Sequence, residues 1–216
     1  EGHPILDAIA PALEKNETKT DFCLRCQLDE KPIIAILPGS RKQELTKLLR
    51  IMTSVARVFK EYNFVVAGIS SLPKELYDEA SKIDNVSVVF DDTYALLKHA
   101  EAAIVKSGTS TLETALFNVP EVVCYKTNGL TFAIGKRLVK VKYVSLVNII
   151  LGKEAIKELL QNDLNYKNLK TELSKILHPE YRETVLEDYK KFRSLMGEKG
   201  ASDRIAAKMV QYLQQV

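Results

Sequence analysis

The residues most capable of chemistry in this chain stand together in Lys106-Ser107-Gly108-Thr109-Ser110-Thr111-Leu112-Glu113. The apolar run Ala102 to Val105 reads as a short buried strand, and a helix opens at the small-residue turn that follows it. Such a turn places the backbone N–H groups of Ser107, Gly108 and Thr109, with two hydroxyls, at a helix N-terminus, where the dipole favours an anion such as phosphate. Glu113 falls one helical turn beyond Thr109 on the same face, so its carboxylate can accept hydrogen bonds from a sugar diol. A diphosphate beside a diol suits a nucleotide, and in particular a nucleotide-sugar. An ordinary helix start, with Ser107 or Thr109 capping the first amides, fits the same residues.

A second turn carries similar chemistry. In Pro38-Gly39-Ser40-Arg41, Gly39 permits close backbone approach, Ser40 can cap the following helix, and Arg41 supplies a fixed cationic fork suited to phosphate oxygens. Asn148 and Gln161 are polar amides beside apolar runs, able to meet a base or sugar or to cap helices. Cys23-Leu24-Arg25-Cys26 has metal-ligand spacing but no second pair, and reads as one helix face against the core. Asp91-Asp92 reads as the N-cap region of a helix from Thr93. No serine sits in a nucleophile elbow, no acid pair suggests hydrolysis, and no general base can be picked out.

The elements that would position these groups alternate. Strands are expected at 33–37, 64–68, 86–90, 102–105 and 122–125, with helices from about Leu45 to Phe59 and at 73–82, 93–100 and 109–117. Continuous apolar strands between amphipathic helices imply an α/β fold: a Rossmann-like parallel sheet covered on both faces. Ligands of such sheets bind beyond the carboxyl ends of the strands, where both glycine-bearing turns fall. Residues 1–31 read as a connection and entry helix, with 16–21 polar, and 32–152 as the nucleotide-sugar-binding domain. The stretch 153–216 reads as wholly helical, with segments near 153–161, 167–177, 180–196 and 202–214, packing on the same domain or on a partner.

Composition is that of an ordinary globular chain, with 216 residues, 46% of them hydrophobic. No apolar run approaches the roughly 20 residues needed to span a bilayer. Nothing at the start resembles a signal peptide, and three cysteines fit a reducing compartment. The net charge is +3, and all of the excess lies in one segment. Lys126, Lys136, Arg137, Lys140, Lys142 and Lys153 fall between Glu121 and Glu154 with no acidic residue among them. Interleaved with Leu130, Phe132, Ile134, Leu138, Val139, Val141 and Tyr143, these cations suit an anionic lipid surface or a phosphorylated amphiphile, or a solvated face beside a core strand. Charge confined to one stretch, with few aromatic residues, argues against nucleic acid as a partner.

Together the motifs resemble the lipid-A-disaccharide synthase family. The resemblance runs through Gly2-His3-Pro4-Ile5-Leu6-Asp7, Leu37 to Glu44, Lys106 to Glu113, Lys140 to Asn148, Glu158-Leu159-Leu160-Gln161 and Gly200-Ala201-Ser202. It departs where Val147 replaces the family's proline. The resemblance implies the donor-side half of a two-domain glycosyltransferase of B-type architecture. It implies transfer of 2,3-diacylglucosamine from its UDP derivative to 2,3-diacylglucosamine 1-phosphate, with inversion, with no metal and no cofactor. On that basis Ser107, Gly108 and Thr109 would hold the donor diphosphate and Glu113 the ribose hydroxyls. Asn148 and Gln161 would line the donor pocket, and Gly39, Ser40 and Arg41 would bind phosphate. The general base would lie in the other half, so this chain alone would bind and not turn over. The resemblance further implies a cytoplasmic protein, peripheral on the inner face of the inner membrane through 126–153, and a homodimer built with the C-terminal helices. A UDP-N-acetylglucosamine epimerase-like enzyme and a non-catalytic nucleotide-binding module are the competing expectations.

Overall fold

The structure, a computed structural model, describes residues 2–127 and 142–214. Its centre is a sheet of six parallel strands: β1 (Ile33–Leu37), β2 (Asn63–Gly68), β3 (Val86–Phe90), β4 (Ala100–Lys106), β5 (Glu121–Tyr125) and β6 (Lys157–Leu160). The spatial order is β3-β2-β1-β4-β5-β6. The chain therefore winds outward in one direction from β1, returns, and winds the other way from β4. This leaves a topological switch point between β1 and β4, whose ends pair as Leu37 with Val105.

Alternation along the strands divides the core. Ile34, Ile36, Phe64, Val66, Ile104, Val122 and Cys124 belong to one face, packed under α3 (Lys42–Thr53) and α8 (Tyr166–Leu177) through Leu45, Leu48, Met52, Leu169, Leu173 and Ile176. Ile33, Ala35, Leu37, Val65, Ala103 and Val105 belong to the other. They meet Phe22 and Cys23 of α2 (Lys19–Arg25) and Leu96 and Leu97 of α5 (Thr93–His99). On that side Val123 joins α1 (Ile5–Glu14), α6 (Thr109–Leu116), α7 (Leu146–Leu151) and α9 (Pro179–Leu195) in a further apolar cluster. Strands buried on both faces explain the continuous apolar runs. Short 3-10 turns at Ala56–Val58 and Lys74–Tyr77, the latter leading into α4 (Asp78–Ser81), complete the connections from β1 to β2 and from β2 to β3, and α10 (Ala201–Leu213) is the last described element.

Three local expectations are corrected. Residues 157–160, expected within a helix over 153–161, form the edge strand β6. Gly152 ends α7 in the left-handed conformation, and Asn148 captures the Ala155 and Ile156 amides, so the chain leaves the helix and joins β5. The stretch 16–21 is not wholly a connection, because Thr18 and Asp21 form a reciprocal capping box that starts α2. Asp92 precedes α5 as expected, but its carboxylate does not cap the helix; it pairs with Arg25 at 2.6 Å.

The N-terminal segment meets the turn between α9 and α10. The Asp7 carboxylate accepts the Gly200 and Ser202 amides at 2.5 and 2.9 Å, and the His3 amide donates to the Met196 carbonyl at 3.0 Å. These bonds hold the Asp7 carboxyl down at about 2. Cys23 is buried and Cys26 partly so, on the core-facing side of α2 as expected. No helix among the described residues is long and apolar enough to cross a membrane.

Candidate nucleotide-binding site

A cavity of about 700 Å³ opens at the switch point, beyond the carboxyl ends of β1, β2, β3 and β4. Gly39, Ser40 and Arg41 line it from the turn after β1, and Gly108, Thr109 and Glu113 from the turn and helix after β4. Two of the sequence-predicted clusters, far apart in the chain, thus face one space. The N-termini of α3 and α6 both open here, and helix geometry leaves the Thr109 and Ser110 amides without intrahelical acceptors. Neither helix is capped by a side chain: the N-cap positions are Arg41 and Gly108, not the serines or Thr109.

Gly39 has φ +105°, a backbone state that favours glycine, and a Cβ there would collide with Glu44 Oε2. The turn therefore folds down upon Glu44. That carboxylate lies 3.0 Å from the Lys106 ammonium and 3.8 Å from the Arg41 guanidinium. Across the cavity the Tyr94 hydroxyl donates a 2.7 Å hydrogen bond to Glu113 Oε1, while its ring stacks on Phe117 at 5.6 Å. Burial, and then the neighbouring carboxylate, push the Tyr94 phenol well above its ordinary range, so it remains a donor. Tyr94, Glu44 and Lys106 line the cavity yet were not singled out as site residues from sequence. Lys106 and Glu44 lie inside the two motifs, whereas no local signal marks Tyr94.

Ser107, Asn148 and Gln161 stand elsewhere. The buried Ser107 hydroxyl donates to the Val144 carbonyl at 3.0 Å, and its amide donates to Cys124. Asn148 is fully buried. Its amide nitrogen donates to the Ile156 carbonyl and to Glu158 Oε1, both at 2.8 Å, and its oxygen accepts the Ala155 and Ile156 amides at 2.8 and 3.0 Å. Glu158 in turn accepts the Val144 and Ser145 amides at 2.9 and 2.8 Å. Gln161, at φ +51°, continues the ladder from β5 and pairs its side-chain amide with both backbone groups of Thr127 at 3.2 and 3.3 Å. None of the three lines the cavity. Glu158 and Gln161 instead hold the chain on either side of residues 128–141. Of the basic segment, Lys126 and Lys142 are exposed and Lys153 is bound to the buried Asp188 at 2.6 Å. Lys136, Arg137 and Lys140 lie outside the described residues.

Sheet order, switch-point cavity and twin helix N-termini define the class: a Rossmann-like unit of the kind that forms half of a glycosyltransferase B-type molecule. Solved structures agree on the fold. The S. aureus MnaA–UDP co-structure matches with a TM-score of 0.66 at 15% identity, over 100% of this chain and 53% of that one. CalG4, the calicheamicin glycosyltransferase, matches with a TM-score of 0.58 at 17% identity, over 84% and 44%. The sequence is more specific, and the chain belongs to the lipid-A-disaccharide synthetase family, whose profile matches residues 2–210. It is 36% identical over 213 residues to the lipid-A-disaccharide synthase of Syntrophus aciditrophicus, covering 95% of this chain and 55% of the relative. It is 37% identical over 217 residues to that of Persephonella marina, covering 95% and 56%. The chain spans about half the length of the curated relatives it matches.

Proposed function

We propose that this chain is the donor-binding part of a lipid-A-disaccharide synthase, taking 2,3-diacylglucosamine from its UDP derivative and passing it to 2,3-diacylglucosamine 1-phosphate. One observation carries the reading. In a member of this family, Glu113 stands one helical turn beyond the open N-terminus of α6, inside a cavity whose other wall is the Pro38–Arg41 turn. Gly108 and Thr109 offer amides to the diphosphate and Glu113 accepts the ribose hydroxyls. Gly39, Ser40 and Arg41 meet a phosphate of donor or acceptor. Ser107, Asn148 and Gln161 serve the donor pocket by fixing the loops around it.

In the transfer, a bond forms between the acceptor hydroxyl oxygen and the anomeric carbon as the bond from that carbon to the diphosphate oxygen breaks. The hydroxyl proton goes to a base supplied by the part of the enzyme that the relatives possess beyond this alignment. UDP departs carrying the electron pair. Oriented amides at two helix N-termini, with Arg41, stabilise that growing charge. Acylated substrates call for work at a membrane surface, in this reading the cytoplasmic face of the inner membrane, and the cation-rich 126–153 segment suits contact with anionic lipid. Exposed Met209, Val210, Tyr212 and Leu213 on α10 support pairing with a second copy.

The reading is tested by fusing the acceptor-side half of the Syntrophus relative to this chain and assaying disaccharide formation from the two glucosamine lipids. Product formation that Glu113→Ala abolishes supports it. A folded fusion that binds UDP yet forms no disaccharide would favour a non-catalytic nucleotide-binding module.

A further inference from the structure

Lys106 is the last residue of β4 and Glu44 stands in the first turn of α3, on opposite sides of the switch point. Their charged atoms lie 3.0 Å apart, and both side chains are about four-fifths buried, at 23% and 19% exposure. Both nevertheless line the cavity. Glu44 also faces Arg41, whose guanidinium is 3.8 Å away and 83% exposed. One carboxylate thus gathers a cation from each of the two turns, leaving one positive charge in excess. The Cβ position of Gly108, in the turn at the start of α6, is 3.5 Å from the Lys106 ammonium. A shielded lysine is in this way held at the mouth of an anion-favouring turn.

We propose that Lys106 is the side-chain cation that neutralises the donor's diphosphate, and that Glu44 is the positioning residue that holds it ready. The proposal rests on the nucleotide reading of the cavity and adds to it a residue that sequence reasoning did not place in the site. A lysine suits the task. Its ammonium is a compact charge with three donors on a flexible stem, so it can keep one bond to Glu44 while turning others to phosphate oxygens. Partial burial raises the strength of that contact above what an exposed cation such as Arg41 provides. A simple strut between α3 and β4 would affect stability only and would not distinguish one phosphate from two.

The test titrates the full chain, Lys106→Met and Lys106→Arg with UDP, UMP and uridine by calorimetry, at low and high salt. Lys106→Met is expected to weaken UDP about tenfold or more, to weaken UMP less, and to leave uridine unchanged. Lys106→Arg is expected to keep most of the UDP affinity, and the methionine variant to lose part of the parent's salt dependence. Unchanged UDP affinity in Lys106→Met overturns the proposal while leaving the nucleotide reading intact. An equal loss for uridine overturns it too, since the effect would then be on the pocket as a whole. A parent chain that binds none of the three removes the nucleotide reading itself, and the role of Lys106 with it.

Discussion

The Tyr94 hydroxyl donates to the Glu113 carboxylate at 2.7 Å, so the side chain assigned to the ribose is already held by a neighbour from a different helix. Ring stacking of Tyr94 on Phe117 leaves the phenol little freedom, and the bond fixes one carboxylate oxygen while the other stays available. Tyr94→Phe removes only the hydroxyl. It is expected to weaken UDP by about 1 kcal/mol, roughly fivefold, with the thermal midpoint nearly unchanged. Paired titration and melting measurements check both halves of that statement.

Gly39→Ala should act on both turns at once. A methyl there meets Glu44 Oε2, and φ +105° strains any residue but glycine. The Glu44 side chain must move, loosening its contacts with Lys106 and Arg41. Destabilisation of about 1–3 kcal/mol is expected, together with weaker UDP binding. Denaturant unfolding and calorimetry on the same preparation separate the two effects.

Asn148 satisfies four polar groups from a fully buried position. Asn148→Ala leaves buried amides and a carboxylate with a lost partner, a loss of about 2–4 kcal/mol. Faster hydrogen exchange at the Ala155 and Ile156 amides is the specific signature. Unchanged exchange there would contradict the part given to Asn148 in holding those two amides.

The α/β alternation was legible because strands covered on both faces must be apolar along their whole length, as in Ile33 to Leu37. The two cavity-lining turns were legible because small residues and Arg41 follow such runs directly. β6 was not. Only four residues long, it contains Lys157 and Glu158, and Leu159 alone is buried, so nothing in its pattern separates an edge strand from a helix. Asn148 and Gln161 stood out as amides, but their partners come from chain positions that only the fold brings near. The Tyr94–Glu113 and Lys106–Glu44 pairs were hidden for the same reason: each joins elements distant in sequence.

Glu121 gives the fold a pH dependence. It is wholly buried, with the Tyr189 hydroxyl 3.4 Å from one oxygen and no hydrogen-bond partner for the other among the described residues. Burial pushes its carboxyl well above the usual range, so the folded state keeps a proton that the unfolded chain releases. The contribution of Glu121 to stability is therefore greatest below the ordinary carboxylate range and falls as pH rises through it toward the folded value, opposite in sign to that of Asp7. Glu121→Gln is expected to flatten this slope, matching the parent near about pH 4 and exceeding it near about pH 8. Urea denaturation at both values checks the sign.

The central claim, a uridine nucleotide held between the two turns, is tested most directly by calorimetric titration of this chain with UDP, with ADP as the comparison and Glu113→Ala as the second protein. The account predicts that UDP binds at least about tenfold more tightly than ADP, and that Glu113→Ala weakens UDP by about tenfold while the fold stays intact. Equal affinity for UDP and ADP, or a Glu113→Ala chain that binds UDP as well as the parent, would contradict it.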